Sequence, residues 1–293
     1  MDRLAPYLFV FLWSTGFIGA RYGLPHAEPL TFLLVRYATV IALMAAAAVV
    51  GGAPWPREPR LGVHIGIAGL LVHGLYLGGV FVAISRGLPT GVTSLVVGLQ
   101  PVLAAAGAGL LLGERTTARQ WTGLGLGLAG VALVLSGKLG LGSSSRGLLP
   151  LLAPAFLALG GITLGTLYQK RFCPAFDLRT GAVIQFSAAA LATLPVAAAT
   201  ESFRVDWSGP FLFALGWLVL VLSLGAISLL NLLIRRGTAV NVARLFFLVP
   251  PATSLLAFAL FGETLRGAAL AGMGLAVAGV YLARSPPARA PGR

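Results

Sequence analysis

The chain has 293 residues, of which 57% are hydrophobic and only 10% charged, with a mean hydropathy of +0.91; soluble domains carry about a quarter charged residues, so that class is excluded. A net charge of +13 would suit nucleic acid in a soluble protein, but here Lys and Arg stand singly or in pairs between apolar runs and read as topology signals. Cys173 is the one cysteine, which rules out an intramolecular disulfide and a structural zinc site built on paired cysteines.

A bilayer core of about 30 Å requires roughly 20 apolar residues in a helix. Ten spans meet or approach that length in chain order: Pro6 to Tyr22, Pro29 to Gly51, Leu61 to Ser85, Pro89 to Leu112, Trp121 to Ser136, Leu148 to Tyr168, Leu178 to Ala199, Pro210 to Ile234, Ala239 to Phe261 and Gly267 to Ala283. The connections are short and broken by Pro, Gly and charge, as at 51–60, 142–146 and 204–210. Arg3 ahead of an apolar stretch would also suit a secretory signal, but the first span has a counterpart at Leu148 to Tyr168 that cannot be one, so it is read as a span.

With the N-terminus placed in the cytoplasm, thirteen Lys and Arg fall on inner connections and six on outer ones, while the acidic residues divide evenly. This bias predicts a multi-pass protein of the inner membrane with both termini cytoplasmic.

The chain is also written twice. At one offset of 149 positions, with no gap, Gly16 falls on Gly165, Arg86 on Arg235, Pro101 on Pro250, Gly113-Glu114 on Gly262-Glu263 and Leu133 on Leu282. Five spans per copy is an odd number, so the second copy enters the membrane from the opposite side. The expected fold is all-α and integral to the membrane: ten transmembrane helices as two inverted five-helix repeats around a central cavity. Residues 1–141 form the first repeat, 142–284 the second, and 285–293 a disordered cytoplasmic tail.

The runs Trp13-Ser-Thr-Gly-Phe-Ile-Gly-Ala-Arg-Tyr-Gly-Leu, Leu34-Val-Arg-Tyr and Leu99-Gln-Pro-Val-Leu leading to Leu110-Leu-Leu-Gly-Glu-Arg resemble the EamA-type transporters of the drug/metabolite transporter superfamily. The second copy, Val249-Pro-Pro-Ala-Thr leading to Leu260-Phe-Gly-Glu-Thr, resembles the same pattern. The resemblance covers the chain up to Arg284. It implies two inverted repeats, a cavity walled mainly by helices 1, 3, 4, 6, 8 and 9, and a likeness to exporters of aromatic amino acids and methyl viologen. Gln185 stands opposite Arg36 and Ile162 opposite Trp13, so polar and aromatic features are expected to concentrate in the first repeat.

Individual residues carry two readings each. Pro101, Pro250 and Pro251 fall inside the fourth and ninth spans, as static kinks or as hinges; their matched placement favours hinges. Arg36 and Arg244 lie six or seven residues into a span, within snorkelling reach of an end. If they face the lumen, they are partners for an anionic group such as a carboxylate. Trp13, Tyr76, Tyr168 and His73 either pack helices or line a cavity suited to aromatic or cationic ligands. Gln100 either bridges helices or joins that cavity. His73 and Tyr76 share a face, and His64 points the other way.

The run Gly125-Leu-Gly-Leu-Ala-Gly130 formally matches a dinucleotide fingerprint but lacks the preceding strand and following acid. It reads instead as a small packing face of Gly123, Gly127 and Gly130. A second face, Gly267, Ala271, Gly274 and Ala278, suggests that helices 5 and 10 pack together or form a weak homodimer seam, the chain otherwise being a monomer. No catalytic, cofactor or metal constellation is present, so an enzyme is not expected, and no carboxylate lies mid-span to relay protons. The expected function is export of small metabolites, most plausibly aromatic or bulky apolar amino acids, by alternating access. The alternative is a channel-like or non-transporting membrane subunit. The expected partners are the bilayer and a small-molecule substrate, with no nucleic acid.

Overall fold

The computed structural model describes residues 4–88, 90–114, 116–136, 148–173, 175–236, 242–261 and 267–283. Ten helical spans follow in order: α1 Ala5–Gly23, α2 Pro29–Val50, α3 Pro59–Ser85, α4 in two pieces (Thr90–Val97 and Gln100–Leu112), and α5 Ala118–Ser136. The second repeat supplies α6 Leu148–Phe172, α7 Leu178–Thr200, α8 Gly209–Arg236, α9 in two pieces (Arg244–Leu248 and Val249–Phe261), and α10 Gly267–Leu282. Proline occupies the first turn of several helices, where its missing N–H costs nothing: Pro6, Pro29, Pro59, Pro101 and Pro210.

Inversion of the repeats is visible in how matched helices meet. Glu201, just past the end of α7, accepts from the backbone N–H groups of Leu30 and Thr31 at the start of α2, at 2.8 and 2.7 Å. At the other end, Thr180 near the start of α7 donates to the Pro54 carbonyl beyond α2 at 3.0 Å. The two helices therefore lie antiparallel, as an odd number of spans per repeat demands. In the same way α5 and α10 meet head to tail, with Gly123 against Gly279 and Ala283 and Gly130 against Gly272 and Ala276, so closely that a Cβ on either glycine would strike backbone atoms at 2.5–2.7 Å.

That seam corrects one expectation. Gly123, Gly127 and Gly130 are indeed the contact face of α5, but α10 answers with Gly272, Ala276, Gly279 and Ala283. Gly274 and Ala271 point outward instead. α10 is rich in small residues on every side, so pattern alone does not phase it; backbone approach, which lets van der Waals contact replace the absent hydrophobic drive between helices in lipid, selects the face. Gly123, Gly127 and Gly130 are thus consumed within the chain.

The repeats also share their irregularities. In α3 the stretch Leu70–Leu77 is π-helical, and in α8 so is Leu218–Ala226, which lies at the 149-residue offset to within one position. α4 breaks at Gly98 and Leu99, and α9 tightens into a 3₁₀ turn over Arg244–Leu248. Pro101 and Pro250-Pro251 therefore fall in the first turns of fresh α-helical pieces rather than in helix interiors. The reason is that each proline lacks an N–H and crowds the carbonyl four residues earlier, so the regular helix stops ahead of it. At the far end of α4, Gly113 adopts φ +67° and Glu114 N–H reaches back to the Ala108 carbonyl at 3.2 Å. This left-handed cap explains the first Gly-Glu pair; the second, Gly262-Glu263, lies outside the described residues.

On one face the two repeats are tied by their loops. Ala27 pairs with Val205 in a single antiparallel bridge, Asp206 N–H donates to the His26 carbonyl at 2.7 Å, and the His26 ring contacts Asp206 and Ser208 at 3.0 Å. Glu28 accepts from the Ser202 and Arg204 backbones, each at 3.0 Å. These donors, Arg204 first, hold its carboxyl below the ordinary glutamate range.

Candidate functional site

Arg36 is the one charged side chain on α2 and it does not snorkel. Only 2% exposed, it lies in the centre of the bundle and its Nε donates to Ser223 Oγ at 3.0 Å. Ser223 belongs to the π-helical stretch of α8, where its hydroxyl in turn donates to the Leu218 carbonyl five residues back, at 3.1 Å. A π turn widens the helix and leaves carbonyls available to such bonds, which is why these turns gather at functional positions. The neighbouring Tyr37 makes the matching contact to α3, donating through its hydroxyl to the His73 carbonyl at 2.6 Å inside the other π stretch.

Around Arg36 stands an aromatic wall. Trp13 and Tyr76 lie nearly parallel, 12° apart with ring centroids at 6.0 Å. Phe9 and Phe246 flank Trp13 at 5.1 and 5.3 Å. Arg36, Trp13 and Tyr76, with Phe17, Val80, Leu222 and Ile227, line a cavity of about 30 Å³, space for about one water molecule. Among the described residues no carboxylate pairs with Arg36. A guanidinium held in an apolar interior without a counter-charge is costly by several kcal/mol, which makes Arg36 a candidate binding group for an anion.

The second repeat answers with amides. Gln185, the position matching Arg36, donates through Nε2 to Gln169 Oε1 at 3.0 Å, and Gln169 Nε2 donates to Asn231 Oδ1 at 2.9 Å. All three are buried. His73 lies between the two halves, fully buried and stacked on Phe186 at 4.0 Å. Both of its ring nitrogens lack a hydrogen bond of ordinary geometry, and Gln185 is the polar side chain beside them. Polar groups are thus shared between the repeats: Arg36, Trp13, Tyr76 and His73 belong to the first, and Gln169, Gln185 and Asn231 to the second.

Four sequence candidates, Trp13, Arg36, His73 and Tyr76, are brought together. Gln100 lines a separate crevice with Thr166, Lys170 and Val242, and its Nε2 meets Thr166 Oγ1 at 3.4 Å. Tyr168 belongs elsewhere, bonded to His64 Nδ1 at 2.7 Å and packed on Phe172 near one end of α6; Gln169, one residue and about 100° further round the helix, faces inward instead. Arg244 opens the 3₁₀ turn of α9, half-buried, and lines neither cavity. Ser223 and Gln169 escaped the sequence reading. A usable signal existed: each is a polar residue opposite a small one in the other repeat, Gly74 and Ala20.

Known proteins agree with this architecture. The model of the EamA-like transporter family matches residues 4–136 and again 148–285. The uncharacterized inner membrane transporter YedA of Escherichia coli strain K12 is 27% identical over 89% of this chain and 83% of its own. The uncharacterized transporter YvbV of Bacillus subtilis is 28% identical over 90% and 85%. A probable amino-acid metabolite efflux pump of Salmonella typhimurium is 29% identical over 96% and 94%. One solved crystal structure shares the fold at a TM-score of 0.79, covering 96% of this chain and 95% of the other at 22% identity. With both halves matched by one family model, ten helices and a duplicated core, the chain is a multi-pass membrane protein that belongs to the EamA-like transporter family.

Proposed function

We propose that the protein exports small amino-acid-like metabolites with an anionic group and a bulky apolar or aromatic side chain. The observation that carries this reading is Arg36: a buried guanidinium with no carboxylate partner among the described residues, set against Trp13 and Tyr76. A carboxylate on the guanidinium supplies the missing counter-charge through its planar fork, while the aromatic pair takes the side chain by stacking. The efflux pump among the relatives agrees in substrate class.

A cavity of about 30 Å³ is too small for such a molecule. Substrate entry therefore requires the Trp13–Tyr76 stack to part, and the conformation described is a closed one. The breaks ahead of Pro101 and Pro250-Pro251 give α4 and α9 matched points at which to bend, one for each side of the membrane. The Lys and Arg bias supports a reading with both chain ends in the cytoplasm and the loop tie at Glu28 and Glu201 on the outer face.

Counterflow in proteoliposomes tests the reading. Preloaded phenylalanine is expected to drive saturable uptake of labelled phenylalanine. Unsaturable flux would assign the protein to the channel class, and absence of any flux to the non-transporting class.

A further inference from the structure

A second cavity, far larger than the central one, lies away from Arg36. A groove of about 820 Å³ runs between α2, α3, α6 and α7, within the range that takes a sizeable organic ligand. Its walls are apolar, and Leu70, Leu75, Leu157 and Val196 remain 37–57% exposed on the sides of membrane-spanning helices. The groove therefore opens sideways into lipid, not into water.

Its length and its charges narrow the occupant. Leu70 and Arg86 mark its two ends along α3, roughly 24 Å apart at about 1.5 Å per residue. That is close to one leaflet of a bilayer about 40–45 Å thick with its headgroups. At the headgroup end the lining residues are Ser85, Arg86, Glu28 and Glu201. The Arg86 guanidinium is exposed and makes no hydrogen bond or ion pair with described side chains, whereas its repeat partner Arg235 is occupied by the Phe176 carbonyl and ring. Glu28 and Glu201 line the mouth and are held in place there by backbone donors. One free cation beside two fixed carboxylates complements a zwitterion better than a simple anion.

We propose that this groove holds one phospholipid with a zwitterionic headgroup, its phosphate against Arg86, its ammonium toward Glu28 and Glu201, and an acyl chain along α3. The floor at Gly78 is open: a Cβ there would meet nothing within 4 Å. A large side chain at that position therefore occupies the groove without disturbing the packing beneath it.

The test uses the full chain, purified in detergent and incubated with equal amounts of phosphatidylethanolamine, phosphatidylglycerol and diacylglycerol, with retained lipid counted by native mass spectrometry. Wild type is expected to keep one phosphatidylethanolamine per chain. Gly78→Phe, which displaces two or three methylenes, is expected to lower that retention about tenfold or more. Arg86→Gln, at an exposed position, is expected to reduce the preference for phosphatidylethanolamine over diacylglycerol about fivefold. Equal retention of all three lipids by wild type, a preference for phosphatidylglycerol, or retention and preference unchanged in the variants would overturn the proposal. None of these readings depends on transport, so the lipid site and the export function stand or fall separately.

Discussion

Arg36 and Gln185 occupy the same position in two copies of one five-helix unit, and the chain has resolved the cost of a buried polar group there in opposite ways. Gln185 is satisfied from within, through Gln169 to Asn231. Arg36 has a single hydroxyl from Ser223 and no counter-charge among the described residues. A buried, hydrogen-bonded amide chain rigidifies one half of the core; in the other half the unbalanced cation is, under the proposed function, where the anionic group of the substrate binds. Duplication supplies the frame, and divergence at one pair of positions supplies the polarity of the site.

The sharpest way to break the contrast is to make the two halves alike. Arg36→Gln is expected to lower transport efficiency about 100-fold, the weight of losing a charge-assisted bidentate contact. Thermal stability is expected to hold or rise, since an uncompensated charge leaves the core; reduced counterflow together with an unchanged melting curve is the signature. Next in size is Gln185→Leu, which orphans Gln169 Oε1 and is expected to cost about 1–3 kcal/mol of stability in a denaturant melt, with apparent affinity changed by only a few-fold. Trp13→Ala and Tyr76→Ala each remove one face of the aromatic pair and are expected to weaken affinity for an aromatic substrate about tenfold. A smaller aliphatic substrate is expected to lose less, which competition counterflow reads directly.

The spans and the repeat were legible because both rest on long-range statistics: twenty-residue apolar windows and a register held over more than a hundred positions. Facing within a span was not. α6 is apolar nearly all round, so nothing in its pattern says that Gln169 turns inward and Tyr168 away. α10 is small nearly all round, and the wrong stripe was chosen for the same reason. The π stretches of α3 and α8 leave no mark in a run of Leu and Val, yet they deliver the His73 carbonyl and Ser223 hydroxyl to α2. The charge of Arg36 within a span was legible because the membrane makes it expensive; its burial was not, since Arg244 carries the same signal and is half-buried away from both cavities.

The smallest expected effect concerns the loops. Glu28 has its carboxyl held below the ordinary range by the Arg204 and Ser202 donors, so the stabilisation it gives is complete above that range and is lost as pH falls through the lowered value. Melting curves from neutral to acid pH are expected to show Glu28→Gln losing less stability on acidification than wild type. Equal slopes would remove Glu28 from the tie.

The most direct measurement pairs the side chain with the ligand group it is held to meet. Counterflow competition by phenylalanine and by phenylalaninamide, which lacks the carboxylate, is compared in wild type and Arg36→Gln. Wild type is expected to prefer phenylalanine about 100-fold and the variant scarcely to distinguish the two; an undiminished preference in Arg36→Gln would show that the buried guanidinium does not bind substrate.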